Sequence, residues 1–331
     1  MGKIIRVENL VRKFSDLVAV DDVSFEVEEG EIFGFLGPNG AGKTTTINIL
    51  CTLLKPTSGT ATINGFDVVR QQNEVRRSVG LVFQDPSLDI KLSALQNLEF
   101  HTGVYNVPRS LSKQRIEEVL KMVDLWDRRK GVVQNFSGGM RRRLEIGRGL
   151  LHYPKVLFLD EPTLGLDPQT RFHIWQYILE LRKRENITVF LTTHYMDEAT
   201  VADRIAIIDY GKIIALDTPD ALKRMVGGDI VTLKTENAEA AVAEISEKHG
   251  IEARQDSEGV FFEIQNGEEF IPILLRDFKS GLQSISVRRP TLDDVFMKLT
   301  GREIREEAGG VAVMKKQWAM RTAQGRGGRF H

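Results

Sequence analysis

Three short segments of this chain carry residue types whose spacing allows chemistry on phosphate. Gly37-Pro38-Asn39-Gly40-Ala41-Gly42-Lys43-Thr44, followed by Thr45, fits the pattern G-x-x-x-x-G-K-[ST] in full. Glycines let the backbone turn tightly, so that several N–H groups converge on phosphate oxygens. A helix starting at Lys43 would add its positive N-terminal end. Lys43 supplies a compact charge for β- and γ-phosphates, and the Thr44 hydroxyl suits Mg²⁺. The second segment, Val156-Leu157-Phe158-Leu159-Asp160-Glu161, is apolar and ends in two carboxylates. Adjacent strand residues face opposite ways, which would give the two acids different roles. Asp160 would serve the Mg²⁺ shell, and Glu161 would polarise a water for attack on the γ-phosphate. The third, Ser137-Gly138-Gly139-Met140, opens the helix-like run Arg141–His152 and forms a second anion-binding helix end. One nucleotide already has its loop, so this second end points to the nucleotide of another copy.

These segments need elements to hold them. Lys3–Val7, Ser24–Val27, Ile32–Leu36, Val79–Phe83, Val156–Leu159, Thr188–Leu191 and Arg204–Ile208 read as strands. Lys43–Leu54 and the charged, periodic stretch from about Pro86 to Asn135 read as helix. Alternation of the two predicts an α/β core with parallel strands. After Gly227-Gly228 the order becomes strand (Ile230–Lys234), helix (Ala238–Lys248), strand (Ile251–Arg254), strand (Gly259–Ile264), helix (Glu268–Lys279) and strand (Leu282–Val287). That order is the ferredoxin-like pattern. The expected domains are residues 1–226, with a helical subdomain at about 86–150, then a small α+β unit at 229–300 and a basic, Gly-rich, flexible tail at 306–331.

The chain has 331 residues, 45 Lys+Arg and 46 Asp+Glu, for a net charge of −1. This balance excludes nucleic-acid binding by bulk charge. The single cysteine, Cys51, excludes an internal disulfide and fits a reducing compartment. No apolar run reaches the ~18 residues of a membrane span. Charges at Lys3 and Arg6 come too early for a signal peptide. Any membrane role would be peripheral, through a partner. Arg141-Arg142-Arg143 is read as a solvated or ATP-facing stretch of helix, and the histidines show no paired metal-ligand spacing.

Residues 1 to about 225 resemble the nucleotide-binding domain of an ABC (ATP-binding cassette) transporter. Gly37–Thr45 matches Walker A and Leu157–Glu161 matches Walker B. Gln84 stands at the Q-loop position, where the family places a further Mg²⁺ contact. Phe136-Ser137-Gly138-Gly139-Met140 resembles the signature, Gly165-Leu166-Asp167 the D-loop, and His194 the switch histidine. Phe14 lies where the family puts an aromatic that stacks on adenine, although a core role is the plain alternative. Leu292-Asp293-Asp294-Val295-Phe296 and the residues after it resemble the end of the daunorubicin-resistance type of ATP-binding subunit, which serves ABC-2 exporters.

The resemblance implies an ATPase with Glu161, His194 and Lys43 as its catalytic groups, and with ATP and Mg²⁺ bound. It implies a head-to-tail dimer that sandwiches two ATPs, each contacted by Walker A, Walker B, Gln84 and His194 of one copy and by Ser137–Met140 of the other. It further implies integral-membrane permease partners of ABC-2 type, reached from the cytoplasmic face of the membrane, and a dimerising or regulatory C-terminal domain. No nucleic-acid partner is expected. The alternative is a soluble ABC ATPase acting on a nucleic-acid or ribosomal partner. Against it, the chain has neither sustained heptads nor a second cassette.

Overall fold

The structure, a computed structural model, describes residues 2–255 and 259–301; the expected tail lies outside them. Strands β1 (Lys3–Phe14) and β2 (Leu17–Glu28) form a hairpin, and β3 (Ile32–Leu36) leads through the phosphate loop into α1 (Lys43–Leu50). Next come β4 (Ser58–Ile63), β5 (Phe66–Asp67), α2 (Gln72–Ser78) and β6 (Val79–Val82). Helices α3 (Ala94–Val104), α4 (Arg109–Met122) and α5 (Gly138–Leu150) precede β7 (Val156–Asp160). Then follow α6 (Pro168–Glu185), β8 (Thr188–Thr193), α7 (Met196–Ala199), β9 (Arg204–Asp209), β10 (Lys212–Asp217) and α8 (Pro219–Arg224). The last part runs β11 (Asp229–Thr235), α9 (Ala238–His249), β12 (Arg254–Gln255), β13 (Val260–Ile264), α10 (Gly267–Asp277), β14 (Leu282–Arg288) and α11 (Leu292–Thr300).

The central sheet has the order β10-β9-β3-β8-β7-β6, parallel except for β10. Its five parallel strands are covered on both sides, which is why they read as continuous apolar runs. Alternate residues feed two cores. Leu36, Leu157, Leu159 and Leu191 face one. Phe33, Phe35, Phe158 and Phe190 face the other, where their rings meet at centroid distances of 5.2–5.6 Å. A second sheet, β2-β1-β4-β5, is antiparallel. The C-terminal sheet, β12-β13-β11-β14, is antiparallel throughout, as a ferredoxin-like β-α-β-β-α-β unit requires.

Several expectations need correction. The helix after the phosphate loop ends at Leu50, not Leu54. Thr52 turns left-handed at φ 63°, and the N–H groups of Leu53 and Leu54 both return to Asn48 O, closing the last turn. The first strand runs on to Phe14, because pairing with β2 continues past bulges at Val7–Leu10 and Leu10–Arg12. The stretch from Pro86 to Asn135 is two helices broken before Pro108, with short 3₁₀ turns at Trp126–Arg128 and Val133–Asn135. The strand expected at Ile251–Arg254 is only Arg254–Gln255.

The C-terminal unit has its own core around Val231, Leu233, Phe262 and Leu274. Its last helix does not join that core. Leu292, Val295 and Phe296 of α11 pack into the ATPase side of the molecule, with Leu222, Val226 and Met196.

Candidate nucleotide site

The chain leaves β3 at Leu36 and turns at once. A Cβ on Gly37 would stand 2.3 Å from Ile208 O, and one on Gly42 2.4 Å from Ala19 O. Gly42 caps α1 at φ 108°, a backbone that side-chain-bearing residues avoid. The loop is thus a cradle that only glycine permits at both ends. Asn39 and Gly40 at its tip are exposed, Pro38 and Thr45 are half-buried, and Ala41 is buried. Lys43 is buried, and its ammonium donates to Gly37 O at 2.7 Å and Pro38 O at 3.1 Å. Burial lowers its pKa, against the opposing pull of Glu161 and Asp160.

Strand β7 delivers the carboxylates beside this lysine. Asp160 Oδ1 accepts from Thr192 Oγ1 at 2.5 Å and from Thr44 Oγ1 at 3.4 Å, and burial raises its pKa. Glu161 does not continue the strand to the opposite face, as the alternation rule suggested. It stands past the strand end in left-handed backbone at φ 45°, with its N–H donating to Thr192 O at 3.2 Å and Thr192 Oγ1 at 3.1 Å. The turn brings its Oε1 to 3.5 Å from Lys43 Nζ and 3.3 Å from His194 Nδ1. Burial alone would raise this carboxyl, but His194 and Lys43 outweigh it and hold the pKa below the ordinary glutamate value.

The other expected residues lie around this cluster at different removes. Gln84 is exposed just beyond β6, whose register places Val82 opposite Leu159. Asp167 caps α6, accepting from Thr170 N at 3.0 Å and Thr170 Oγ1 at 2.6 Å. Phe14 is 41% exposed, which excludes the core alternative; the Arg12 guanidinium sits 4.4 Å from its ring centre. Ser137 caps α5 by accepting from Met140 N at 3.2 Å, with Gly138 exposed beside it. Among the described residues, no hydrogen bond or ion pair joins Ser137, Gly138 or Gly139 to the Lys43–Asp160–Glu161 cluster.

Some participants were not foreseen. Arg142 is not a solvated or nucleotide-facing residue: it is 8% exposed and grips four backbone carbonyls at the ends of β6 and β7 together with the Glu145 carboxylate. The signal was present in Glu145, a charge between Leu144 and Ile146 at i+3 from an arginine. Thr192 and Glu198 were also missed. Buried Glu198 accepts from Thr163 and, at 2.9 Å, from Thr193, joining the segment after β7 to the one before His194. A cavity of about 590 Å³ lies behind His194, lined by Trp175, Tyr195, Met196 and, from the C-terminal unit, Asp293.

The donor set suits a nucleotide and Mg²⁺: a glycine-lined cradle with a cation at its base, and a hydroxyl paired with a carboxylate, hard oxygen ligands of the kind magnesium takes. Among the described residues no group of three His, Cys, Asp or Glu could hold a metal by itself, and a site completed by substrate phosphates needs none. No helix among them is long and apolar enough to cross a membrane.

The ABC transporter family profile matches residues 20–164, and that of the DrrA1-3-like ATP-binding protein C-terminal domain matches 218–300. The chain is 38% identical to the daunorubicin resistance ATP-binding protein DrrA3 of Streptomyces coeruleorubidus, over 92% of this chain and 98% of that one. It is 40% identical to the doxorubicin resistance ATP-binding protein DrrA of Mycobacterium tuberculosis, covering 86% and 89%. Among solved structures, it resembles a dimeric ATP-binding cassette in a post-hydrolysis state bound to ADP and Pi. There the TM-score is 0.57 and the identity 29%, over 65% of this chain and 98% of that one. The chain therefore belongs to the ABC transporter family, as an ATP-binding and ATP-hydrolysing subunit of the DrrA-like daunorubicin/doxorubicin resistance group.

Proposed function

We propose that this chain powers an exporter of drugs, lipids or other hydrophobic compounds. Two copies close head to tail over two ATPs and pull on ABC-2 type permease subunits from the cytoplasmic face of the membrane. The observation that carries this reading is a division within one chain. Lys43, Thr44, Asp160, Glu161 and His194 converge, whereas the Ser137 helix end stands apart from them with Ser137 and Gly138 exposed. One chain then holds both halves of a site that it completes only with a second copy. Drug-resistance names among the relatives support the export direction.

In that site Lys43 exchanges its bonds to Gly37 O and Pro38 O for β- and γ-phosphate oxygens. Glu161, kept ionised by Lys43 and His194, accepts the proton of the attacking water at a carboxylate oxygen. His194 holds Glu161 in place from its Nδ1 side. Phe14 offers its exposed face to the adenine, and the N–H groups at Ser137–Gly139 serve the partner's γ-phosphate, with Asp167 capping the adjoining helix. Thr44 and Asp160, with Gln84 at hand, would hold a Mg²⁺ ion, which would supply neutralisation of phosphate charge.

The test mixes two inactive variants, Lys43→Ala and Ser137→Arg. Recovered ATPase in the mixture supports trans completion, and none at any ratio rejects it. Capture from membranes of a polytopic partner by the full chain tests the permease.

A further inference from the structure

We propose that Arg142 is a positioning residue that couples the two ATP sites of the dimer. This rests on the reading that the Ser137 end of α5 serves the partner's nucleotide.

The side chain leaves α5 one turn past that end and enters the protein. Its Nε donates to Pro162 O at 2.6 Å, and its Nη2 to Asp160 O at 3.2 Å and Glu161 O at 3.3 Å. Its Nη1 donates to Phe83 O at 2.7 Å and to Glu145 Oε2 at 2.8 Å. The other Glu145 oxygen accepts the N–H of Ser87 at 2.9 Å. One buried ion pair on one helix thus holds the backbone of Asp160, Glu161 and Pro162, and also both flanks of Gln84, at Phe83 and Ser87.

Physical chemistry gives this arrangement a direction. A guanidinium is a rigid planar fork whose five N–H groups have fixed relative positions. A displacement of α5 is therefore transmitted to all of its acceptors together. Glu161 stands in left-handed backbone at φ 45° and owes its placement to its surroundings. When the Ser137 end of α5 engages the partner's phosphate, the shift of α5 reaches Glu161 and the Gln84 segment of the chain's own site. Each site then registers the occupancy of the other. Lysine at this position would keep the charge but lose the fork.

The experiment uses the full chain with ATP and Mg²⁺. Two variants are compared with wild type: Arg142→Lys, and Arg142→Gln/Glu145→Gln, which removes both buried charges and retains amide hydrogen bonds. Fluorescent-ATP binding to the monomer reads the chain's own half-site, and steady-state ATPase gives kcat, KM and the Hill coefficient. Folding is checked by thermal melting, and the double variant carries the test if the lysine variant melts early.

The expected result is monomer affinity within about threefold of wild type and a ~10²-fold loss of kcat from misplaced groups. The Hill coefficient falls from above one in wild type to one in the variant. Lost kcat with an unchanged Hill coefficient makes Arg142 a brace only and overturns the coupling. Wild-type kcat and cooperativity in both variants also overturn it, as does a wild-type coefficient of one. Ser137→Arg separates the two claims: full activity in that variant rejects the two-copy site itself, whereas its inactivity beside an unchanged Hill coefficient in the Arg142 variants rejects the coupling alone.

Discussion

The Lys43 ammonium lies 3.5 Å from a carboxylate oxygen of Glu161, with both side chains more than nine-tenths buried. Each group favours the charged form of the other, although burial still leaves the Lys43 pKa below the ordinary lysine value. Glu161→Gln keeps the shape and loses the base. ATP binding is expected to persist while turnover falls about 10²–10⁴-fold. With hydrolysis stalled, an ATP-bound dimer accumulates on size-exclusion chromatography in ATP and Mg²⁺. Near wild-type turnover would remove Glu161 from the base role.

Lys43→Ala strips the cradle of its cation and leaves the buried Glu161 carboxylate with His194 alone. Loss of ATP binding and of hydrolysis is expected together, measured by nucleotide titration and phosphate release. Ser137→Arg separates the two: the monomer binds ATP as before, because Ser137 caps α5 away from Lys43, while ATP-driven dimerisation fails. Equal loss of monomer binding in both variants would contradict the division of labour.

Strands β3 and β7 were legible because burial on both faces leaves no polar residue until the chain reaches the site, at Gly37 and at Asp160. Strand β4 was not, since Ser58-Gly59-Thr60 at its start carries turn chemistry and only Ala61 and Ile63 are buried. The left-handed turn at Glu161 leaves no trace in composition: the residue is not glycine, and its conformation is imposed by Thr192 and Arg142 from distant segments. Arg142 itself was hidden by its neighbours. Three consecutive arginines on a helix spread over more than half its circumference, so charge alone does not say which one turns inward. Arg141 and Arg143 stay near the surface, the latter paired with Asp124.

Phe14 stands at the tip of the β1–β2 hairpin, opposite Leu17, and is 41% exposed. Phe14→Ala is expected to weaken ATP binding by ~1–3 kcal/mol, the worth of a base stacked on an aromatic ring. Thermal stability should scarcely move, because an exposed ring contributes little to a core. Phe14→Tyr should be nearly silent, and GTP should serve in place of ATP, since stacking accepts either purine. Unchanged ATP affinity in Phe14→Ala would leave the ring as a surface partner of Arg12.

The C-terminal unit carries a pH-dependent clamp remote from the ATP site. Burial would raise the Glu244 carboxyl, but Lys248, the Ser280 hydroxyl and the Lys279 N–H lower it to about 2. Its folded pKa is thus depressed below the unfolded value. The stability it contributes is complete above the ordinary glutamate range and is lost as pH falls toward about 2. Glu244→Gln should cost about 2 kcal/mol at pH 7, as for other hydrogen bonds to a charged group. The cost should vanish in strong acid. Urea denaturation across that range measures it, and a pH-independent difference would deny the carboxylate this role.

Phe296 decides how the C-terminal unit and the ATPase depend on each other. It is 1% exposed and belongs to the core that contains Leu222, Met196 and Ala199, not to the core around Phe262. Helix α11 is therefore the ATPase's own packing element, reached through a ferredoxin-like insert. Phe296→Ala should lower stability by about 3–5 kcal/mol, the range for a deleted buried aromatic. Because Met196 and Ala199 lie in α7, directly after His194, the cavity should also loosen His194 and slow hydrolysis more than it weakens ATP binding. Phe262→Ala opens a cavity of the same kind in the separate core and should spare the ATPase. A chain cut after Met225 would bare Leu222 and the α7 residues together, so it should melt well below the full chain and bind ATP poorly. Melting curves with and without ATP, with turnover at a temperature where all variants are folded, make the comparison. If Phe262→Ala and Phe296→Ala lose ATPase activity equally, the two cores act as one and α11 has no separate hold on the His194 segment.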